Sequence, residues 1–250
     1  MAEYDDVVDI YTTLITSAFQ RINHIFDNEL EISMAEIDGK DVLDVPCGNG
    51  KYSQLMLDKG ANRVLGIDVS ETMINLCKEK FSTSRAHFFC GDVSSFDFSK
   101  IIDPNGTIQK YDIIYTFALW HYFPTLDIIK TTIKNLSSFL KKNGSLYALV
   151  LDSRYIPCVS GMLNVWNNSS RTPLKDGDKI SWNYFSKEKW MFPQNIKSYF
   201  WKNKTLKQTF EQNGLTESNA YNLREKYQGS LTDDEKTTLR VWSMWEFVKR

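Results

Sequence analysis

No stretch of the 250-residue sequence is apolar for long enough to cross a bilayer. The opening MAEYDDVVDI has neither the basic segment nor the apolar run of a secretion signal, so a soluble, cytoplasmic protein is expected. Cysteine is scarce and scattered: Cys47, Cys77, Cys90 and Cys158 form no C-x-x-C pair, which supports neither a disulfide framework nor a zinc site. Neither sign of charge is in excess, and a formal net charge of −1 offers a polyanion no global attraction. Two phosphate-binding signatures are missing as well, the G-x-G-x-x-G spacing of dinucleotide sites and the G-x-x-x-x-G-K-[ST] loop. The length suits one α/β domain carrying a subdomain.

What the chain does have is organised around Asp41 to Lys51, DVLDVPCGNGK. Val42, Leu43 and Val45 form the short apolar run of a strand buried on both faces. Gly48-Asn49-Gly50 breaks that run, and a helix is predicted from Lys51 to Lys59. Strand, glycine turn and helix together bring backbone N–H groups and a helix N-terminus against a ligand. Asp44, near the strand end, adds a negative charge that suits an ammonium or sulfonium group and opposes a pyrophosphate. Arg63 to Asp68 reads as a second buried strand ending in an acid, with Ser70 placed to cap a helix over 71–80. A carboxylate there can accept hydrogen bonds from both ribose hydroxyls of a nucleoside.

Further on, Ala86 to Cys90 is a third strand followed by Gly91-Asp92-Val93, and Tyr111 to Thr116 is a fourth, feeding Phe117 to Pro124. Thr125 caps a helix predicted over Leu126 to Lys142 and ended by Asn143-Gly144; Ser145 to Asp152 is the fifth strand. This alternation implies a parallel sheet with helices on both faces. An apolar stripe over Tyr4 to Phe26 predicts a leading helix. After residue 152 the regularity stops. Lys179 to Phe185 and Asn195 to Phe200 are placed to pair as a hairpin, followed by a helix over 205–213, a sixth strand over 215–223 and a capping box at Thr232 and Glu235. Residues 242–250 read equally as strand or helix.

With these residues in order, the chain resembles the class I S-adenosylmethionine (SAM) methyltransferases. Their first motif, roughly D-x-G-x-G-x-G, stands here as Asp44-Val45-Pro46-Cys47-Gly48-Asn49-Gly50, with proline where the first glycine usually is. The resemblance implies a Rossmann-like, mostly parallel seven-stranded sheet with an inserted lid. Its divisions would be a cap helix over 1–30, the core over 31–152, the lid over 153–203 and the completing segment over 204–250. It implies that Gly48 and Gly50 pass close to the methionine part of SAM, with Asp44 nearby. Asp68, with Val69 beside it, would hold the ribose, Met73 would pack on the adenine, and Asp92 and Val93 would read the adenine edge. The backbone near Phe117 would face the methionine amino group. The product would be S-adenosylhomocysteine, with no metal involved.

Members that methylate base amines or glutamine amides carry [DN]-P-P-[FYW] where this chain has Phe117-Ala118-Leu119-Trp120. That departure argues against a DNA, rRNA or release-factor amide methylase; the expected acceptor is a small molecule, methylated on nitrogen or oxygen, and the expected protein a monomer or homodimer without nucleic-acid or membrane partners. Trp120, Tyr122, Trp166 and Trp182 are candidates to face the acceptor. His121 is either a base toward it or a packing residue. Many small-molecule members also place a tyrosine of the leading helix over the cofactor, here Tyr11, with Tyr4 as the second candidate. The rival readings are an RNA or protein methyltransferase docking through the lysines of 175–207, and a non-catalytic partner with the same fold.

Overall fold

Adjacent apolar residues point to opposite faces of a strand, and four neighbouring strands of this chain carry them in pairs. Val42, Val64, Ile113 and Leu149 enter one core, whereas Leu43, Leu65, Ile114 and Val150 enter the other. Such strands are stable only between two helical layers. The computed structural model describes residues 20–81, 83, 85–98, 101, 109–156, 163–167, 173–186, 189–191, 197–227, 236, 239 and 241–250, and shows that arrangement.

The described chain begins with α1 (Gln20–Ser33), then β1 (Asp41–Asp44), α2 (Lys51–Asp58), β2 (Arg63–Asp68), α3 (Glu71–Lys80), β3 (Ala86–Cys90), β4 (Tyr111–Phe117), α4 (Leu126–Phe139) and β5 (Leu140–Leu151). After the second sheet come α5 (Asn203–Gln212), β10 (Leu215–Asn222), the short α6 (Leu223–Lys226) and β11 (Trp242–Lys249). The main sheet has the order β3-β2-β1-β4-β5-β11-β10. β3 to β5 are mutually parallel, and β11 runs antiparallel between β5 and β10. α1, α2 and α3 cover one face through Ile25, Leu30, Met56, Leu57 and Ile74; α4 and α5 cover the other through Ile129, Ile133, Leu136, Leu206 and Phe210. The seven-stranded Rossmann-like expectation holds, and Trp242–Lys249 is a strand. Among the described residues no helix is long and apolar enough to cross a membrane.

Caps sit where the sequence places them: Ser70 Oγ accepts from Met73 N at 3.2 Å and Thr125 Oγ1 from Ile128 N at 3.4 Å. The fourth helix is shorter than expected. It stops at Phe139 because Leu140 is extended, fully buried and paired with Tyr111, and Asn143, at φ 62°, turns the strand rather than capping the helix. Residues 1–19 and the capping box at Thr232 and Glu235 lie outside the described residues, and the leading helix runs on to Ser33.

Between β5 and α5 stands a second sheet: β6 (Leu163–Asn167), β7 (Lys179–Ser186), β8 (Lys189–Met191) and β9 (Ser198–Tyr199). The expected hairpin is part of it, through Lys179 opposite Tyr199 and Ile180 opposite Ser198, with two further strands added on β7. Ile180, Leu174, Phe200 and Ile156 form a small core with Leu151 and Val241 that seats this sheet on the tip of β5.

Asp152, at that tip, is fully buried. Its oxygens accept from Arg154 Nη2 at 2.7 Å, Ser243 Oγ at 2.7 Å, Asn203 Nδ2 at 2.9 Å and Asn222 Nδ2 at 3.0 Å, joining β5, β11, α5 and β10. Burial raises its affinity for a proton, but the bonds from Arg154, Ser243 and Asn222 outweigh that and leave its carboxyl below the ordinary value. Asp152→Ala is expected to cost about 3 to 5 kcal/mol, read by urea denaturation at pH 7, because it strands buried donors around the hole. Since the folded pKa is the lower one, the contribution is complete above about pH 4 and disappears as pH falls through the folded value.

Candidate functional site

The tips of β1, β2, β3 and β4 are neighbours in the sheet, and each carries residues singled out by the sequence. After Asp44 the chain leaves β1 between its neighbours: Val45 N donates to Tyr115 O and Cys47 N to Ile67 O, each at 3.0 Å. The Val45–Pro46 peptide is cis. Gly48 then adopts φ 51° and Gly50 φ 73°, and α2 starts at once. A left-handed backbone here favours glycine.

The two glycines face different ways. A Cβ on Gly48 would meet nothing within 4 Å, so open space lies over it. On Gly50 a Cβ would come within 2.7 Å of the Phe81 ring and 3.0 Å of Cys77 Sγ. Gly48 therefore borders the crevice, while the Cα of Gly50 packs against α3 and serves the turn. Two thiols converge beneath this loop, Cys77 Sγ at 3.2 Å and Cys47 Sγ at 3.7 Å from Gly48 O.

Asp68, 7% exposed, organises the crevice floor. Its Oδ2 accepts from Gly48 N at 2.8 Å and its Oδ1 from Ser70 N at 3.0 Å. Val69, next to it, is half exposed, an apolar side chain open to solvent at the strand tip. Asp92 is exposed, its Oδ1 accepting from Ser94 N at 2.8 Å; Val93 is buried, and Gly91 N bonds to Asp68 O at 2.8 Å. Met73 is buried on α3, and Phe117 is buried at the end of β4 edge-on to Tyr52.

Asp44 is 2% exposed and accepts from Ser53 Oγ of α2 at 2.6 Å. Burial and the negative charge of Asp68 push its carboxyl up to about 7 against the pull of the Ser53 bond. A buried acid in that state gains from a cation placed beside it. The set of two buried acids, an exposed apolar side chain and an open glycine fits a cationic nucleoside. Among the described residues no three His, Cys, Asp or Glu side chains group as metal ligands.

On the acceptor side one expectation changes. Trp120 is a core residue, 1% exposed, bonded through Nε1 to Thr116 Oγ1 and packed edge-on to Phe210 and Phe123, so it is not available to a substrate. His121 is 4% exposed, and burial pushes its imidazole down to about 3, which keeps it neutral and makes it a weak base. Its ring lies 4.1 Å from that of the partly exposed Tyr122. Ala118, just before this turn, has φ 54°, a conformation costly to a residue with a Cβ. Trp166 and Trp182 lie on β6 and β7, but their side chains, like Tyr11, fall outside the described residues. Sequence reasoning missed Ser53 and the Cys47/Cys77 pair, because each contact joins different elements and no spacing rule signals it.

A family model described as a methyltransferase domain matches residues 42–144. Among curated proteins the chain is similar to a malonyl-[acyl-carrier protein] O-methyltransferase of Acetivibrio thermocellus, 29% identical over 133 residues, covering 52% of this chain and 42% of that protein. The chain spans about half the length, or less, of the curated relatives it matches. Among solved structures it is similar to an S-adenosylmethionine-dependent methyltransferase of Clostridium acetobutylicum, with a TM-score of 0.63, 17% identity and 98% of each chain covered. It is also similar to the N-methyltransferase NodS of Bradyrhizobium japonicum in complex with S-adenosylhomocysteine, with a TM-score of 0.57, 14% identity, and 94% and 90% of the two chains covered. The crevice at the strand tips, the seven-strand order and the matched segment agree: residues 42–144 are similar to a methyltransferase domain, and the fold is the one seen in S-adenosylmethionine-dependent methyltransferases.

Proposed function

We propose that the protein transfers a methyl group from SAM to an oxygen or nitrogen of a small-molecule acceptor. The observation that carries this reading is Asp68, whose two oxygens are oriented by the Gly48 and Ser70 amides beside the open face of Gly48. When bound, SAM supplies a methyl group already activated on a cationic sulfur. The chain's task is then to bind, align and exclude water, and alignment of this kind can supply roughly 7 to 11 kcal/mol. In this reading Asp68 takes the ribose hydroxyls, Val69 and Met73 flank the adenine, and Asp92 and Val93 meet its edge. Asp44 balances the positive charge, and the backbone at Phe117 receives the methionine amino group.

A dedicated base is not required, and the neutral, buried His121 is better suited to shaping the wall beside Tyr122. Tyr11, Trp166 and Trp182 would close the acceptor side, with the second sheet as a cover over the strand tips. The O-methyltransferase name of the curated relative favours an oxygen acceptor. The departure from [DN]-P-P-[FYW] at Phe117 to Trp120 and the near-zero net charge favour a small molecule over nucleic acid.

Asp68→Ala, checked for folding by circular dichroism, should weaken SAM binding by roughly 10- to 100-fold in calorimetry, the worth of hydrogen bonds to a charged group. Undiminished affinity would remove the site from this crevice. For His121 the sign is set by burial: with a pKa near 3 the imidazole is neutral throughout pH 5 to 8, so the kcat profile should show no limb near 6.5 that His121→Asn abolishes.

A further inference from the structure

Asp44 and Ser53 stand apart from the other buried polar groups at this end of the sheet. Ser53, fully buried in the first turn of α2, is the one described residue that donates a hydrogen bond to the Asp44 carboxylate, and it reaches only Oδ2. Asp152, equally buried, has both oxygens filled by side chains of the protein. Asp44, at the end of β1, therefore keeps acceptor capacity that the described residues do not use.

Among the described residues, the groups that face Asp44 come from four elements. Asp68 approaches from β2, the Cys47 thiol from the loop, the Tyr115 phenol from β4 and the Ser53 hydroxyl from α2. The bond with Cys77, then burial, raises the thiol, and burial raises the phenol, so both stay neutral, and no cationic side chain figures among these neighbours. Burial and Asp68 favour the neutral acid; Ser53 alone favours the anion. The balance leaves the ligand-free carboxyl near 7, where a modest change in its surroundings decides its charge.

We propose that Ser53 is a positioning residue whose hydroxyl holds the Asp44 carboxylate as an anion, and that this pair favours the cationic donor over its neutral thioether product. The inference rests on the SAM-binding reading above and adds a residue and a discrimination to it. SAM and S-adenosylhomocysteine share the adenosine, ammonium and carboxylate groups, so their contributions cancel in the ratio of the two affinities. What remains is one positive charge on sulfur, and an acid that must give up its proton to meet that charge makes the ratio depend on pH.

The test is calorimetric titration of both ligands into the full chain between pH 6 and 8. In the wild type the SAM to S-adenosylhomocysteine affinity ratio should rise with pH, approaching tenfold per unit below about pH 7 and levelling above it. SAM binding near pH 7 should release protons, detected by repeating the titration in buffers of different ionisation enthalpy. Ser53→Ala should move the rise upward by about one pH unit and weaken SAM binding at pH 7 about five- to tenfold, with little change for S-adenosylhomocysteine. Ser53→Thr, which keeps the hydroxyl, should restore the wild-type ratio, and Asp44→Asn should make it independent of pH. A pH-independent ratio in the wild type, or the same profile in folded Ser53→Ala, would overturn the proposal while leaving SAM binding intact. Failure of the wild type to bind either ligand would instead overturn the reading beneath it, and this proposal with it.

Discussion

The carboxylate of Asp68 receives N–H groups from two directions, Gly48 of the adjacent loop and Ser70 of its own chain, and this pair of bonds sets where the crevice floor can lie. β1 and β2 are parallel and in register, Asp44 opposite Gly66, so the chain leaving β1 has to bend across the tip of β2. A left-handed Gly48 permits the bend, and the acid gives its amide an acceptor. Ser70 in turn begins α3, so one side chain fixes the end of one helix and the approach to another. The exposed Val69 and the open side of Gly48 follow from that placement rather than from residues chosen separately.

Among the described residues Glu29, Asp41, Asp44 and Asp152 are buried as well, and the way Glu29, Asp152 and Asp44 are accommodated separates scaffold from site. Glu29 of α1 is held by Tyr221, Tyr227 and Lys226, closing the far edge of the sheet under α1. Asp152 is filled by donors from four elements and works as a rivet between the main sheet and the segment inserted after it. Both are complete without a ligand. Asp44 has a single short bond among the described residues, and an acid left in that condition inside a protein is costly unless something else meets it.

How far the sequence could be read depended on whether an element is set by its own residues or by its partners. The strands Arg63–Asp68 and Ala86–Cys90 stand where their apolar runs and flanking turns place them, and the caps at Ser70 and Thr125 carry their own chemistry. Local pattern failed at Leu140, where a helical stripe continues but pairing with Tyr111 prevails, and at Asn143, whose left-handed backbone resembles a helix end in sequence. Trp242–Lys249 could not be decided from its own residues, since only insertion between two other strands selects the extended form. In the site, the acids at the strand tips were legible because they follow strand ends. Trp120 was misread because an aromatic beside a crevice and an aromatic beneath it look alike in sequence, and here the Thr116 bond and the Phe210 ring draw it under. Ser53 was invisible because its contact with Asp44 spans a strand, a turn and a helix.

The position of β11 has a consequence for how the protein forms. It lies inside the main sheet, bonded on one side to β5 and on the other to β10, although both of those strands precede it along the chain. During synthesis, β5 must therefore wait with a bare edge, its long row of unpaired amides and carbonyls open to any extended peptide nearby, until Trp242–Lys249 clears the ribosome exit. The nascent chain is most vulnerable to mispairing in that interval, and a holding chaperone would have its greatest effect there.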